Sequence, residues 1–291
     1  MRILVSNDDG VYSPGIAALA AVAAEFGHVR VVAPDVEQSS TGHAITASRP
    51  LAYRPVRLDG LEAYRVNGTP ADCVALGAYQ WDRVDVVLSG VNLGLNLGNS
   101  IWHSGTLAAA KQAALLGLRG FALSAPASAE SDFEPLKPWI RRALGELLAD
   151  RSVSLVNVNF PRTPRGLVWT RVSVRQYDGR VVPMRDPQGR PLYWFTVAAV
   201  QGAEKGTDRW AIERGWVSLT PLRLDLTDEA RLERLRAMHA LDDAAAAVLG
   251  PDAPDPAAAR TVREEEARPE PAPAGVGVGV GLDGEEPPPG R

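Results

Sequence analysis

The chain of 291 residues is 45% apolar and 23% charged, with one cysteine and a formal net charge of −4. Apolar content of this order excludes wholesale disorder, and the length allows one large domain or two small ones. Cys73 alone excludes an internal disulfide and a cysteine-only metal site, while 27 basic against 26 acidic groups in residues 1–250 give no broad basic surface for duplex nucleic acid.

At the N-terminus MRILVSNDDG turns polar after five residues, too soon for a signal peptide. No apolar run approaches the ~18–20 residues of a bilayer span, so the expectation is a soluble, cytoplasmic protein. RILVS at 2–6 predicts a buried strand, and PGIAALAAVAAEF at 14–26 a helix with Pro14 in its first turn. VRVVAP at 29–34 and VDVVLSG at 84–90 predict two further strands, and NGTPADC at 67–73 a turn with a helix start. SGTLAAAKQAALLG at 104–117 predicts a helix capped by Ser104, and RGFALSA at 119–125 a fourth strand. Such Val-, Ile- and Leu-rich strands separated by helices indicate a mostly parallel sheet covered on both faces. This is a Rossmann-like, three-layer α/β sandwich, with its core over about 1–125.

Farther on, SLVNVNFP at 154–161 predicts a strand, 166–200 extended hairpins, and WVSLTPL at 216–222 another strand. LTDEARLERLRAMHALDDAAAAVL at 226–249 predicts a helix capped by Thr227, with an apolar face at Leu232, Leu235, Met238 and 241–245. This C-terminal β-hairpin and helix region, about 126–250, is expected to serve assembly. Residues 251–291 hold nine Pro, six Gly and no aromatic, with nine acidic and four basic side chains. They predict a disordered acidic tail outside a folded body of 1–250.

Ligands of a doubly wound sheet bind beyond the carboxyl ends of its strands. After the first strand come Asn7-Asp8-Asp9-Gly10; after the second, Asp35 and then Gln38-Ser39-Ser40-Thr41-Gly42-His43; after the third, Asn92, Asn96 and Asn99 in a glycine-rich run. Hard oxygen donors of this kind suit Mg²⁺ or Mn²⁺. Two adjacent carboxylates repel, and burying both without a cation is costly. Asp-Gly also marks an ordinary turn, but its place at the end of the first strand favours a metal site. No GxGxxG occurs there, which argues against a dinucleotide cofactor. The Ser104-Gly105-Thr106 helix start suits phosphate, although it also reads as a plain cap. His43 and His103 lie where either can donate to a phosphate or deliver a proton; His28 and His239 are expected to be structural or at the surface, and Cys73 a small buried side chain.

SNDDG at 6–10, VYSPGI at 11–16, VVAPD at 31–35, SSTGHAIT at 39–46, NGTPADCV at 67–74, SGVNLGLNLG at 89–98 and HSGTLAAA at 103–110 together resemble the SurE family of metal-dependent nucleotidases. VNVNFP at 156–161 and 207–227 continue the similarity more weakly, and the acidic tail has no counterpart. The resemblance implies one divalent cation per subunit held by Asp8, Asp9, Ser39 and Asn92, with Asn96 and Ser104-Gly105-Thr106 at the phosphate. It implies hydrolysis of nucleoside 5′- and 3′-monophosphates, the 5′-nucleotidase reaction, by a homodimer or homotetramer with exchanged C-terminal segments. The nucleophile is either a water, with Asp8 or Asp9 as base, or Asp8 itself. Two departures stand out: Val36-Glu37-Gln38 occupies a loop where many members carry arginines, and His103 stands where tyrosine is frequent. Deleting residues 251–291 is expected to leave turnover and melting temperature nearly unchanged; assays of the truncated chain check this, and a large loss of either contradicts it.

Overall fold

A computed structural model describes residues 1–58, 60–126, 132–174, 179–197 and 202–238. The predicted tail, His239, the predicted helix beyond Met238 and residues 198–200 of the hairpin stretch lie outside the described residues. Residues 1–227 form one compact unit, and 228–238 belong to a second.

In chain order the strands are β1 (Arg2–Ser6), β2 (His28–Pro34), β3 (Tyr53–Leu58), β4 (Leu61–Val66), β5 (Val86–Leu93) and β6 (Arg119–Ala125). They continue with β7 (Leu155–Asn159), β8 (Leu167–Trp169), β9 (Gly179–Arg185), β10 (Pro191–Val197) and β11 (Val217–Pro221). All but β9 and β10 share one sheet, in the order β3-β4-β2-β1-β5-β6-β7-β11-β8. Its pairs are parallel except β3–β4 and β7–β11. The sheet therefore takes in the strands predicted at 154–161 and 216–222, while β9 and β10 form a separate antiparallel hairpin. This is the expected mostly parallel α/β sandwich.

The helices are α1 (Pro14–Ala23), α2 (Pro70–Tyr79), α3 (Gly105–Leu115), α4 (Lys137–Ala149), α5 (Asp208–Glu213) and α6 (Glu229–Met238). β1 shows why the sheet needs two covers: Ile3 and Val5 pack with Ile16, Leu19 and Leu144 on one face, Leu4 with Val74 and the buried Cys73 on the other. Each such side chain contributes roughly 1.5–3 kcal/mol by leaving water. Pro14 starts α1 and Ser104 caps α3, as predicted; Ser13 supplies the cap of α1. At 67–73 the turn and helix start are realised as a capping box between Thr69 and Asp72. The cap expected at Thr227 is supplied instead by Asp228, whose Oδ1 accepts from the Arg231 N–H at 3.0 Å. On α6 the expected apolar face is half-buried at Leu232 and exposed at Leu235 and Met238.

Four elements, β3, β4, α4 and α5, are additions to the sequence reading. β3 contains Pro55 and alternates with arginines, a pattern tolerated at the sheet edge it occupies. α4 buries Ile140, Ala143, Leu144 and Leu147, a helical spacing that the lysine- and arginine-rich context conceals.

α1 lies so close to the end of β5 that a Cβ on Gly15 would sit 2.0 Å from the Val91 carbonyl oxygen. Gly15→Ala must push helix and strand apart, at a cost of about 1–3 kcal/mol. The expected result is a melting temperature lower by several degrees in a thermal scan, and an unaltered value would refute the close packing.

Candidate functional site

The ends of β1, β2 and β5 bring the predicted loops to one edge of the sheet. Asp8 follows β1 and is buried. Its Oδ1 accepts a hydrogen bond of 2.7 Å from the Thr106 hydroxyl in the first turn of α3. Gly105 makes that approach possible, because a Cβ there would lie 2.8 Å from the Asp8 Cβ and 3.0 Å from its Oδ2. Asp9 Oδ2 accepts from the Leu93 N–H at 3.3 Å, which ties the first loop to the end of β5. The Gln38 N–H donates to the Asp8 carbonyl at 2.7 Å, which ties in the second loop.

Burial pushes the Asp8 carboxyl up to about 6; Thr106 opposes the shift and the neighbouring Asp9 charge adds to it. Asp9 is also raised, chiefly by burial, with the Glu37 charge contributing. No lysine or arginine pairs with Asp8, Asp9 or Glu37 among the described residues. The buried Oδ1 of Asn7 has no hydrogen-bond partner, while its Nδ2 donates to Gly10 O and Ser13 Oγ. Two adjacent carboxylates with no cationic side chain beside them are hard oxygen donors of the kind that fits a divalent cation. Among the described residues no group of three or more His, Cys, Asp or Glu is arranged to hold a metal, so any such site must draw on neutral oxygens as well.

Of those neutral donors, Asn92 is half-buried next to Leu93, with its Nδ2 bonded to Gly94 O at 2.8 Å. Ser39 is exposed, and its hydroxyl donates to Glu37 Oε1 at 2.6 Å rather than to either aspartate. Asn96 is buried beside Thr106 and donates to the Ser124 hydroxyl at 2.9 Å. Ser104 spends its hydroxyl on the Leu107 N–H, as a cap does. His43 bonds Gln112 on α3, and His103 is exposed beside Ser104.

Three supporting groups escaped the sequence reading. Asn157 and Asn159 both donate to the Asn96 carbonyl, at 2.8 and 2.9 Å, and Asn159 Oδ1 accepts from the Asn96 N–H. Their signal was two carboxamides on one face of an otherwise apolar strand, where polar groups need a purpose. Asp208, fully buried at the start of α5, accepts from the N–H groups of Gly98, Ser173 and Arg209 at 2.8–3.0 Å. Burial raises its carboxyl, against the pull of those donors. It anchors the run that carries Asn96, from more than a hundred residues away in sequence.

The family described as survival protein SurE matches residues 3–179. The chain belongs to the SurE family. It is 49% identical over 243 residues to 5′-nucleotidase SurE 1 of Thermus thermophilus, covering 81% of this chain and 96% of that protein. It is 46% identical over 239 residues to 5′-nucleotidase SurE of Deinococcus radiodurans, covering 78% and 88%. The SurE crystal structure from Aquifex aeolicus superposes with a TM-score of 0.72 at 38% identity, over 82% of this chain and 99% of that one. The SurE fold thus carries the two-aspartate edge in this chain.

Because burial raises the folded-state value of Asp8 from 3.8 to about 6, its protonation favours the folded state. That contribution is complete below about 3.8 and is lost as pH rises through about 6. In EDTA at pH 8, Asp8→Asn should therefore be more stable than the wild type, by roughly 2–3 kcal/mol. The gain should shrink toward pH 4. Thermal melts at both pH values check this, and an equal or lower melting point at pH 8 would contradict the uncompensated charge.

Proposed function

We propose that this SurE chain is a metal-dependent phosphomonoesterase that hydrolyses nucleoside 5′- and 3′-monophosphates to nucleoside and phosphate. The observation that carries the reading is the buried Asp8 carboxylate, bonded to Thr106 under the first turn of α3 and flanked by Asp9. The shared name of the relatives, 5′-nucleotidase, supports both an enzyme and a nucleotide substrate.

Asp8, Asp9, Ser39 and Asn92 would hold one Mg²⁺ or Mn²⁺, with Ser39 giving up Glu37 as its acceptor. When bound, such a cation offsets the carboxylate charge and polarises phosphorus. The chain's own groups do the rest. The first turn of α3 presents N–H groups and a positive dipole end to the phosphate oxygens. Asn96, fixed by Asn157 and Asn159, holds the edge of that pocket with Ser104, Gly105 and Thr106. A water attacks phosphorus, and Asp8 or Asp9 accepts its proton. A carboxylate raised by burial is a better base than an ordinary one. The bond from phosphorus to the nucleoside oxygen then breaks, and the proton taken up by the aspartate passes to that oxygen. The alternative, attack by Asp8 itself, is disfavoured because Thr106 already engages its Oδ1.

The same reading makes the protein a cytoplasmic homodimer or homotetramer. Among the described residues no helix is long and apolar enough to cross a membrane. The hairpin face of Leu192, Trp194 and Met184 is exposed, which supports contact with a second copy.

Phosphate release from a panel of nucleoside monophosphates, first in EDTA and then with Mg²⁺ or Mn²⁺, tests the proposal. Release is expected only with metal, and Asp8→Asn should lower it by at least a hundredfold, on the order expected for loss of a central catalytic group. Binding without release in any metal would leave a nucleotide-binding protein instead.

A further inference from the structure

We infer that His103 and Phe195 form the surface on which the nucleobase of the substrate stacks. The inference rests on the phosphomonoesterase reading and assigns its second half, the part of the substrate beyond the phosphate.

The placement comes from α3. His103 immediately precedes the cap Ser104, and Gly105 abuts Asp8. Two residues of chain span at most about 7 Å, so the imidazole starts one nucleoside's reach from the phosphate pocket. Its backbone is pinned on both sides. The His103 N–H donates to Ser100 O at 3.0 Å, and its carbonyl accepts from the Gly42 N–H at 3.0 Å. The ring is thus mounted on fixed backbone at the junction of the second loop and the phosphate turn.

The ring itself is not consumed by the protein. Among the described residues the imidazole makes no hydrogen bond; its ring neighbour is Phe195 on β10, with centroids 6.3 Å apart and planes at 70°. Phe195 is 61% exposed and His103 is exposed as well. Two rings at this angle form a corner: a flat base can lie on one ring with its edge against the other. Phe195 lies on the opposite hairpin face from Trp194, so this corner is separate from the surface offered to a second copy.

The alternative for His103, proton delivery to the leaving oxygen, lacks the usual support. Among the described residues no carboxylate or carbonyl orients the ring or sets its tautomer, and its neighbour is the apolar ring of Phe195. Stacking on ring faces also carries no hydrogen-bond readout, so the site should accept every base and favour the larger purines.

The test compares AMP with ribose 5-phosphate, which lacks only the base, using the full-length protein with Mn²⁺. In the wild type kcat/KM should favour AMP by about tenfold, the order of one base–aromatic stack. His103→Ala and Phe195→Ala should each bring that ratio close to one, through KM, while His103→Phe should retain it because a planar ring without a proton remains. A wild-type ratio near one, or a ratio that survives both alanine substitutions, overturns the inference. So does a loss of kcat on both substrates shared by His103→Ala and His103→Phe, which would instead assign proton transfer. If neither compound releases phosphate, the phosphomonoesterase reading fails; equilibrium dialysis of AMP against ribose 5-phosphate on the same four proteins then decides the stacking surface by the same ratio of affinities.

Discussion

The rest of the site hangs on one contact, the packing of the α3 first turn onto Asp8. It is short enough to require glycine at 105 and is closed by the Thr106 hydroxyl. It joins the end of β1, the point where the sheet's strand order reverses, to the helix that would receive a phosphate. A carboxylate in that position loses its water and gains only hydrogen bonds, with no cationic side chain in exchange. Stability alone would place a neutral residue there. The fold instead keeps a charge it can hold comfortably only when something positive shares the site.

Around that contact the fold uses neutral groups for positioning. Ser124, Asn157 and Asn159 stand at the ends of β6 and β7 and fix Asn96 through its backbone and side chain at once. Asp208 gathers three backbone N–H groups from three separate segments, one of them next to Asn96. Carboxamides and hydroxyls suit this task because they orient a loop without adding charge beside the aspartates. Two acids stand apart: Asp208, which accepts those three N–H groups, and Glu37, bonded to Ser39, whose charge reaches Asp9.

How much of this was legible depended on whether the cause was local. RILVS followed by DDG announces a strand buried on both faces that ends in acids, since an apolar run must stop where polarity starts. Ser104 declares a cap by its own chemistry and its distance from the next apolar run. β3 was hidden because Pro55 and its arginines are tolerable only at an edge, and edge position is a property of the whole sheet. Asp208 was hidden for the same kind of reason: its partners are Gly98 and Ser173, which no local pattern connects to it. Thr227 misled because its hydroxyl and that of a cap look alike in sequence, while the next residue, Asp228, reaches the right N–H. The expected ligand Ser39 sits in the right loop, yet its hydroxyl follows the nearest acceptor, Glu37.

That last contact bears on how an acidic site takes an anionic substrate. Asp8, Asp9 and Glu37 face one edge, and none is paired with a basic side chain among the described residues. A phosphate dianion meets net repulsion there, which the dipole of one helix end, worth about 0.3–1 kcal/mol, does not offset. Under the proposed reading the cation is therefore needed for binding as much as for chemistry. To serve as a ligand, Ser39 would have to leave Glu37, and the freed acid would raise the electrostatic cost of the phosphate again. Where an arginine clamp would have added affinity through the phosphate, contacts to the nucleoside would have to supply it under the proposed reading. Under the inferred stacking, the exposed rings of His103, just before Ser104, and of Phe195, on β10, would supply it.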